Sequence, residues 1–398
     1  MKNNVIALEI SHRYIKVAFG TTENDQVLIN YVKKVPINHF LENGVVKEKA
    51  LLVKELQKVN PVIDDDYRFN ELINNVSLVL PPYGLEVYQT KQITSVISPE
   101  KVIGELDIKN IYSIIRNKRL PVDNELIDIV PEAFVIENNN VYAHAPIGKT
   151  SSSVTAFTKV HTLPKRINQE YSDILRNANI QINRRVVSTF AASELLSSYN
   201  DTPDNYFLVD IGAASTSVSL IGKKQLFASR SFSWGGDNIT DHIVSKFNIS
   251  ELEAEKIKIL YGLDKREMKF AYSVCNVDTD EGESKHYVEE LNELIEKDLD
   301  ELFRLMTNAI EQLAQSYNVI EYQSMPIILI GGGSKLKGIV NHLLKKEVFT
   351  NIKTASPKTI GARDPSLFAL LGALYIDYKY PNTSSDEKKP TVAVFRED

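Results

Sequence analysis

Residues 207–221 read FLVDIGAASTSVSLI, in which two apolar runs are joined by the small residues Gly-Ala-Ala-Ser-Thr. Apolar runs rich in β-branched residues and separated by a short turn predict a β-hairpin. A tight turn of small residues also lets backbone N–H groups converge on one point, which creates an anion site. The stretch alone leaves two alternatives open: an ordinary hairpin, or a backbone cradle for phosphate.

The first residues of the chain repeat this pattern. VIALEI (5–10) and YIKVAF (14–19) are strand-like runs joined by a short polar turn, and QVLINYVKKVP (26–36) supplies a third strand. YFLVDIGAASTSVSLIGKKQLFASRSFSWGG (206–236) has the same order of strand, turn, strand, turn and strand. A repeat whose period is about half of the chain predicts two related lobes rather than a solenoid.

Composition limits the classes of function. The chain has 398 residues and a net charge of −6, whereas nonspecific nucleic-acid binding needs an excess of lysine and arginine. A single cysteine, Cys275, excludes an intramolecular disulfide framework and a cysteine-rich zinc site. The N-terminus lacks the pattern of a signal peptide, and no apolar run approaches the ~20 residues that span a bilayer. We therefore expect a cytoplasmic protein without a nucleic-acid partner.

Two further segments could bind a ligand. LIGGGSKLKGI (329–339) predicts a strand, a glycine turn and a helix whose positive N-terminal end lies beside a closely approaching ligand. In EAEKIK (253–258), Glu255 and Lys258 lie three residues apart on one helix face, where they could bind ribose hydroxyls. Taken alone, the glycine run of 329–339 is equally well explained as a structural turn. The Glu255–Lys258 pair, taken alone, is better explained as a solvated ion pair.

Taken together and in this order, the segments resemble the superfamily of actin, sugar kinases and chaperone ATPases. EISHRYIKV (9–17) and DIGAASTSV (210–218) resemble its two phosphate hairpins, and IGGGSKLKGI (330–339) resembles its adenosine motif. RRVVSTFAAS (184–193) and DPSLFALLGALY (364–375) resemble its two connecting helices. The resemblance implies an α/β, actin-like two-lobed fold of duplicated ribonuclease-H-like domains, which binds ATP and Mg²⁺ between the lobes.

Two longer segments narrow the resemblance to the bacterial cell-division family FtsA. SWGGDNITDHIVSKFNISELEAEKIKILYG (233–262) is similar to that family's GGD-x-IT turn and following EAE-x-x-K helix. VPEAFVIENNNVYAHAPIGKTSSSVTAFTKVHTLP (130–164) resembles its small inserted α+β domain. The resemblance extends to about residue 378 and implies an ATP-binding filament former that links FtsZ filaments to the inner face of the membrane.

Two other functions remain as alternatives. One is a pilus-assembly relative with the same inserted domain, which would bind a short peptide from an inner-membrane partner. The other is an enzyme of the superfamily, such as a sugar kinase, which needs a general base near the cleft. The sequence offers no convincing base, so no catalytic residue is assigned and at most a weak ATPase is expected.

The resemblance and the pattern of elements together predict the domain organisation. The core of lobe one consists of 1–83 and 164–198, with the inserted α+β domain at 84–163. The core of lobe two consists of 199–235 and 320–378, with a subdomain at 236–319 and a flexible tail at 379–398.

The resemblance also implies partners and a location. These are the FtsZ C-terminal peptide, further copies of the chain in filaments, and other division proteins, at the inner face of the membrane at the division site. We expect the inserted domain to carry a filament contact and 236–319 to bind the FtsZ peptide. The family's C-terminal amphipathic helix has no counterpart in YPNTSSDEKKPTVAVFRED (380–398), so membrane contact is expected to be indirect or to use a segment outside this chain.

Carried onto this chain residue by residue, the resemblance implies a nucleotide site and a metal site. Glu9 and Asp210 are the metal candidates, with Mg²⁺ bound in part through water. The residues predicted to contact ATP are Ser11, His12, Arg13, Lys16, Gly212, Ala213, Ala214, Ser215, Thr216, Gly235, Gly236, Asp237, Glu255, Lys258, Gly332, Gly333, Ser334 and Lys337.

Both hairpin turns depart from the family pattern. The second has two alanines where DIGGG is usual, and each added methyl narrows the approach of phosphate. The first has Glu9, one methylene longer than the usual aspartate, and Ser11 in place of glycine. Arg13 either contacts phosphate or fills the cleft.

Two residues outside the two hairpin turns also depart from the family pattern. Ser188 stands near the place where hydrolysing relatives have an acidic or amide side chain, and serine is a poor group for positioning water. Trp234 either packs over the base or ribose or caps the hydrophobic interior, and the second is favoured.

Overall fold

The protein alternates strands and helices, and the computed structural model describes residues 3–23, 26–37, 41–42, 44–67, 75–263, 272–279 and 282–380. In chain order the elements are β1 (Asn3–Ile10), β2 (Tyr14–Glu23), β3 (Gln26–Pro36), β4 (Leu41–Glu42), β5 (Val45–Val46), α1 (Lys49–Tyr67), β6 (Asn75–Leu80), β7 (Glu86–Ser95), α2 (Glu105–Arg116), β8 (Asn124–Ile136), β9 (Asn140–Tyr142), β10 (Ser153–Pro164), α3 (Lys165–Asn177), β11 (Gln181–Val187), α4 (Ser188–Ser197), β12 (Tyr206–Ile211), β13 (Thr216–Gly222), β14 (Gln225–Phe232), α5 (Gly236–Phe247), α6 (Glu251–Tyr261), β15 (Ser273–Thr279), β16 (Gly282–Tyr287), α7 (Val288–Ser316), β17 (Ile327–Ile330), α8 (Ile339–Leu344), β18 (Ile352–Thr354) and α9 (Phe368–Lys379).

Lobe one is built on a five-stranded sheet in the order β11-β6-β1-β2-β3. β1, β2 and β3 pair antiparallel, as predicted, and Ile10 pairs with Ile15 at the end of the first hairpin. β6 and β11 extend the sheet in parallel beyond β1. Ser77, Leu78 and Val79, successive residues of β6 whose side chains point to alternate faces, are all buried, as expected for a parallel strand covered on both faces.

Lobe two repeats this arrangement. Its sheet has the order β14-β13-β12-β17-β18, with an antiparallel meander followed by two parallel strands. The strand order and the strand directions therefore match those of lobe one position by position. This match confirms the predicted duplication and the two-lobed fold.

Two helices connect the lobes. α4 follows the last lobe-one strand and packs against β12, β13 and β14 of lobe two, whereas α9 comes from the second half of the chain and packs against β1, β2 and β6 of lobe one. The two helices meet at Gly372, where an added Cβ would overlap the backbone carbonyl of Ala191. Only glycine allows this approach of two helix backbones, so the contact fixes where the lobes are joined.

The segment predicted as an inserted domain contains its own sheet, β7-β10-β8-β9, in which every pair is antiparallel. α2 packs on this sheet, and Ile108 and Ile111 join Phe134 in a separate hydrophobic core. Asp107 accepts hydrogen bonds from the backbone N–H of Gly104 at 2.8 Å and of Ile97 at 2.9 Å, which fixes the start of the helix. The predicted α+β composition of this segment is confirmed.

Among the other helices of lobe two, α7 packs against β13 and β14, α5 packs on α7, and α6 packs on α5. The apolar stripe of α7 lies in the core as predicted, because Leu291, Ile295, Leu299, Leu302 and Met306 have no exposed surface. In the part of the chain described, no helix is long and apolar enough to cross a membrane.

Two element ends differ from the sequence pattern. α1 continues past Pro61, where the pattern predicts its end, and runs to Tyr67. Leu52, Leu56 and Val59, in the part before Pro61, are buried in the core. α9 ends at Lys379, one residue into the predicted tail. Residues 381–398 of that tail lie outside the described residues.

Candidate functional site

The candidate site lies where the parallel strands of both lobes end. β1, β6, β11, β12 and β17 have their carboxyl ends at one cleft, and the residues that follow these strands line a cavity of about 340 Å³. Open α/β sheets bind ligands at the carboxyl ends of their strands. The duplication therefore brings the loops of the two sheets to opposite sides of one cavity.

The second turn (212–215) offers backbone donors to this cavity. Gly212 N–H donates to the Ser215 carbonyl at 2.8 Å and closes the turn. Within the described residues, the N–H groups of Ala213, Ala214 and Ser215 have no backbone acceptor, and all three residues line the cavity. Three successive N–H groups without backbone acceptors can bind an anion. The segment is therefore a β-hairpin, as one hypothesis predicts, and its turn can also serve as the phosphate cradle that the other predicts.

The N-terminus of α5 supports this turn from behind. The N–H groups of Gly236 and Asp237 donate to the carbonyls of Gly212 and Ala213 at 3.0 and 2.8 Å. An added Cβ on Gly235 would overlap Ala213, and Gly235 N–H donates to the Asn238 side chain at 2.9 Å. These donors hold the turn and are not free for a ligand.

The first turn (11–13) is closed by Ser11, which stands where the second turn has Gly212. Ser11 donates from both its N–H and its hydroxyl to the Tyr14 carbonyl, at 2.8 and 2.9 Å. Lys16 is buried, and its Nζ donates to Glu9 Oε1 at 2.7 Å and to the Ser366 carbonyl at 2.8 Å. The ammonium of Lys16 thus lies between the first strand and the loop that leads into α9.

Asp210 and Glu9 form a carboxylate pair around Lys16. Asp210 is partly exposed in the cleft. Burial raises its pKa to about 6; the neighbouring Lys16 ammonium lowers it, and the Glu9 carboxylate raises it further. Glu9 Oε2 is buried without a hydrogen-bond partner among the described residues. Such an orphaned oxygen fits a hydrated Mg²⁺, which binds through one or two carboxylates together with water and phosphate. The described residues include no group of three or more acidic, histidine or cysteine ligands.

Arg13 links the two lobes across the cleft. Its Nε lies 2.6 Å from Asp237 Oδ1, its Nη2 lies 3.0 Å from Glu251 Oε1, and its Nη1 lies 3.8 Å from Glu255 Oε2. His12 Nε2 approaches the other oxygen of Asp237 at 3.5 Å. Of the two roles predicted for Arg13, occupying part of the cleft is the one that this geometry shows.

The predicted ribose pair on α6 is formed but occupied. Lys258 Nζ donates to Glu255 Oε2 at 2.6 Å, to the Gly236 carbonyl at 2.8 Å and to the Thr240 hydroxyl at 2.8 Å. These three bonds use all of its N–H groups, so Lys258 has no donor left for a ribose. Burial opposes ionisation of Glu255, but Lys258, Thr240 and Arg13 outweigh it and hold the pKa of Glu255 below its ordinary value.

The glycine run after β17 lines the opposite side of the cleft. Gly331 has a φ of +85°, and a Cβ added to it would overlap the carboxylate of Asp210. A Cβ added to Gly333 would overlap the side chain of Ile211. At Gly332 it would meet nothing within 4 Å. The predicted order of strand, glycine turn and helix is found, but a 3₁₀ turn (Gly333–Lys335) comes between the glycines and α8, which begins at Ile339.

Four predicted contact residues do not line the cavity. The Thr216 hydroxyl donates to the Trp234 carbonyl at 2.7 Å, and the Ser334 hydroxyl donates to the Gly331 carbonyl at 2.8 Å. Lys337 donates from Nζ to the Leu260 carbonyl at the end of α6, and Gly235 is enclosed as described. The side chains of Thr216, Ser334 and Lys337 thus bond to backbone carbonyls of the surrounding loops and do not face the cavity.

The other predicted residues are brought together around the cavity. They are Glu9, Ser11, His12, Arg13, Lys16, Asp210, Gly212, Ala213, Ala214, Ser215, Gly236, Asp237, Glu255, Lys258, Gly332 and Gly333. Ser188, the first residue of α4, also lines the cavity. Trp234 is 5% exposed and belongs to the lobe-two core, but it also lines the cavity, so both alternatives predicted for it stay open.

Comparison with known proteins shows one family to which the chain is similar in sequence. The family model of the cell division protein FtsA matches residues 207–372. The FtsA of Enterococcus faecalis is 26% identical over 365 residues, which cover 88% of this chain and 80% of that protein. The FtsA of Bacillus subtilis is 21% identical over 382 residues, 94% of this chain and 84% of the relative. Over most of its length the chain is therefore similar in sequence to FtsA proteins.

Solved structures give the same fold at lower identity. The PilM–PilN type IV pilus biogenesis complex matches with a TM-score of 0.62 and 20% identity over 93% of the FtsA-like chain and 98% of the other. MreB5 of Spiroplasma citri bound to ADP matches with a TM-score of 0.54 and 13% identity over 95% and 96% of the two chains. These matches confirm the predicted actin-like, two-lobed fold.

Sequence reasoning missed several residues of the cleft in this FtsA-like protein. Tyr83 lines the cavity and hydrogen-bonds to Ser215 of the second turn, and burial raises its pKa. Asp364 accepts hydrogen bonds from Lys34 of lobe one and Lys335 of lobe two, each at 3.2 Å. Tyr83 was detectable, because it lies three residues after the end of β6, whose carboxyl end lies at the same edge of the sheet as that of β1.

Proposed function

We propose that this chain binds ATP with Mg²⁺ between its lobes, polymerises, and tethers FtsZ filaments to the membrane or a membrane partner during cell division. The observation that carries the proposal is the juxtaposition of the second turn with the first. Backbone donors of lobe two lie at the same cavity as the cations Arg13 and Lys16 of lobe one. Backbone and cationic donors that converge from two sides are the chemistry that a triphosphate requires.

Each group at the cavity has a proposed part in binding. The N–H groups of Ala213, Ala214 and Ser215 receive phosphate oxygens, and Lys16 balances phosphate charge beside Glu9. Glu9 and Asp210 hold Mg²⁺, which when bound supplies counter-charge to the phosphates. Glu255 accepts from a ribose hydroxyl. The open space above Gly332 receives the adenine side of the nucleotide.

Hydrolysis is proposed to be slow. Ser188 lies at the cavity, but a serine hydroxyl is a weak general base at neutral pH. The nucleotide would then act mainly by fixing the angle between the lobes, which in turn sets whether subunits stack into filaments.

The proposed FtsZ site consists of the exposed apolar side chains of α6, one of which, Ile259, lies at the edge of the cavity. Leu252, Ile259 and Leu260 are 68%, 64% and 59% exposed, although they are large apolar side chains on one short helix. Exposed apolar groups clustered in this way are typical of protein interfaces. We propose that this surface, within 236–319, binds the FtsZ C-terminal peptide, and that the inserted domain carries a filament contact.

The test of nucleotide binding is Gly332→Val with Gly104→Val as its matched control. Valine at 332 projects into the cavity without touching protein, and valine at 104 lies in the inserted domain, where the nearest atom to its Cβ is 3.8 Å away. Both variants should melt like the wild type. Titration with Mg·ATP should show binding for the wild type and Gly104→Val and none for Gly332→Val. Unchanged binding by Gly332→Val would contradict the proposal.

A second candidate function is that of a pilus-assembly protein that binds an inner-membrane partner peptide. It is favoured by the match to the PilM–PilN complex, which covers almost all of that chain. The sequence relatives, which are FtsA proteins, favour the first candidate. Affinity for an FtsZ C-terminal peptide, compared with that for a cytoplasmic peptide of a pilus inner-membrane protein, separates the two.

A further inference from the structure

The guanidinium of Arg13 contacts carboxylates with all three of its nitrogens. Arg13 lies in the first turn of lobe one, and its partner Asp237 lies 224 residues further along the chain, in α5 of lobe two. Glu251 and Glu255 come from the neighbouring helix α6. We refer to Arg13, Asp237, Glu251 and Glu255 as the Arg13 clasp.

The clasp is shielded from water at its centre and open at its edge. The side chains of Arg13 and Asp237 are 20% and 12% exposed, whereas that of Glu251 is 49% exposed. Charge-assisted hydrogen bonds in shielded positions are stronger than surface ion pairs. Most of the attraction therefore comes from Asp237, and Glu251 adds a smaller, salt-sensitive part.

Charge balance ties the clasp to the cavity. Lys258 also lies beside Glu255 but donates three bonds within its own lobe. Among the described residues, Arg13 is the lobe-one side chain that contacts all three carboxylates, and His12 lies 3.5 Å from Asp237. Without Arg13, negative side chains would face a cavity proposed to receive a triphosphate. A guanidinium fork fits phosphate oxygens as well as carboxylate oxygens.

We propose that the Arg13 clasp holds the two lobes together in the absence of nucleotide, and that phosphate displaces its carboxylates when nucleotide enters. The second half of this statement rests on the proposed function. With the clasp formed, the lobes are closed whether or not nucleotide is bound. Nucleotide can enter only after the ionic contacts of Arg13 break, so their rupture limits the rate of entry. Entry should therefore become faster as salt screens the contact.

The experiment compares Arg13→Ala and Glu251→Gln with Glu253→Gln, which removes the same charge from an exposed position in the same turn of α6. Lobe separation is followed by energy transfer between dyes on Lys54→Cys in α1 and Lys246→Cys in α5, in a Cys275→Ser background. Entry of a fluorescent ATP analogue is followed by stopped flow. Both are measured at low and high salt.

The expected result is a larger lobe separation in Arg13→Ala and Glu251→Gln than in the control. Entry should accelerate about tenfold in Arg13→Ala and about two- to fivefold in Glu251→Gln. Salt should accelerate entry in the wild type and in Glu253→Gln, and have little effect in Arg13→Ala. Arg13→Ala should also release the analogue faster, because a phosphate contact is lost, whereas Glu251→Gln should not.

Two outcomes would overturn the inference in separable ways. If lobe separation is the same in all variants at every salt concentration, the clasp does not hold the lobes, whatever the analogue does. If separation changes as expected but the wild type binds no analogue at all, the exchange with phosphate is refuted and the proposed nucleotide function fails with it.

Discussion

His161 is a buried histidine that should make the protein sensitive to mild acid. Its side chain is 1% exposed and packs edge-on against Phe190, with ring centroids 4.6 Å apart. Neither ring nitrogen has a hydrogen-bond partner among the described residues. Burial, with a smaller effect of the neighbouring Lys159 ammonium, lowers the pKa of His161 from 6.5 to about 3. Between these values the unfolded chain binds a proton that the folded protein does not.

The sign and the size of the effect follow from this difference. Because the unfolded state binds more protons, the free energy of unfolding falls as the pH falls from about 6.5 towards 3. One pKa unit corresponds to about 1.4 kcal/mol, so His161 should cost about 2 kcal/mol of stability between pH 7 and pH 5. Leucine at this position keeps an apolar side chain in the core and cannot be protonated.

The assay is urea unfolding, followed by circular dichroism at pH 7 and pH 5. The wild type is compared with His161→Leu and with His144→Leu, in which an exposed histidine of the inserted domain is replaced. The wild type and His144→Leu should each lose about 2 kcal/mol more than His161→Leu over this interval. Equal losses in all three proteins would refute the reasoning.

Three further predictions concern the cleft and the connecting helices. Lys16→Met leaves the Glu9 and Asp210 carboxylates without their buried cation, and should lower the free energy of unfolding, measured in urea, by about 3 kcal/mol. Adding Glu9→Gln to this variant should restore part of the lost stability. Burial raises the pKa of Asp210 to about 6, so this proposed Mg²⁺ ligand becomes protonated between pH 7 and pH 5. Mg²⁺-dependent ATP binding, measured by fluorescence titration, should therefore weaken about tenfold over this interval. Binding by Asp210→Asn should be weak and independent of pH. Gly372→Val should lose about 3 kcal/mol or more, seen as a collapse of the melting temperature, since its side chain would overlap the Ala191 carbonyl; normal melting would contradict the close helix contact.

The sequence predicted the sheets well because their signals are local. Both three-stranded meanders follow from alternating apolar runs and short turns, and the duplication follows from comparing the two runs. The positions of the first and second turns at one cavity follow in turn from the duplication, because equivalent loops of related lobes face each other. The placement of Asp210 and of 212–215 could therefore be predicted.

The departures arise from contacts that are distant in sequence. The acidic partners of Arg13 lie more than 220 residues away, so a reading of the first turn could not choose between its two roles. Lys258 shares a helix face with Glu255 as predicted, but its remaining donors are taken by α5, a neighbour that periodicity does not reveal. Lys337 follows the glycines in sequence, yet the 3₁₀ turn rotates it towards the end of α6.

The exchange of helices between the lobes has a consequence for synthesis on the ribosome. The strands of the lobe-one sheet are complete once Val187 has been made, but the helix that covers one face of that sheet, α9, begins only at Phe368. At ordinary rates of translation, the roughly 180 intervening residues take on the order of 10–40 s. During that time the nascent chain presents a bare apolar sheet, a surface that chaperones bind. Release of a chain truncated before α9 should therefore yield an aggregating product, whereas truncation after Tyr380 should not.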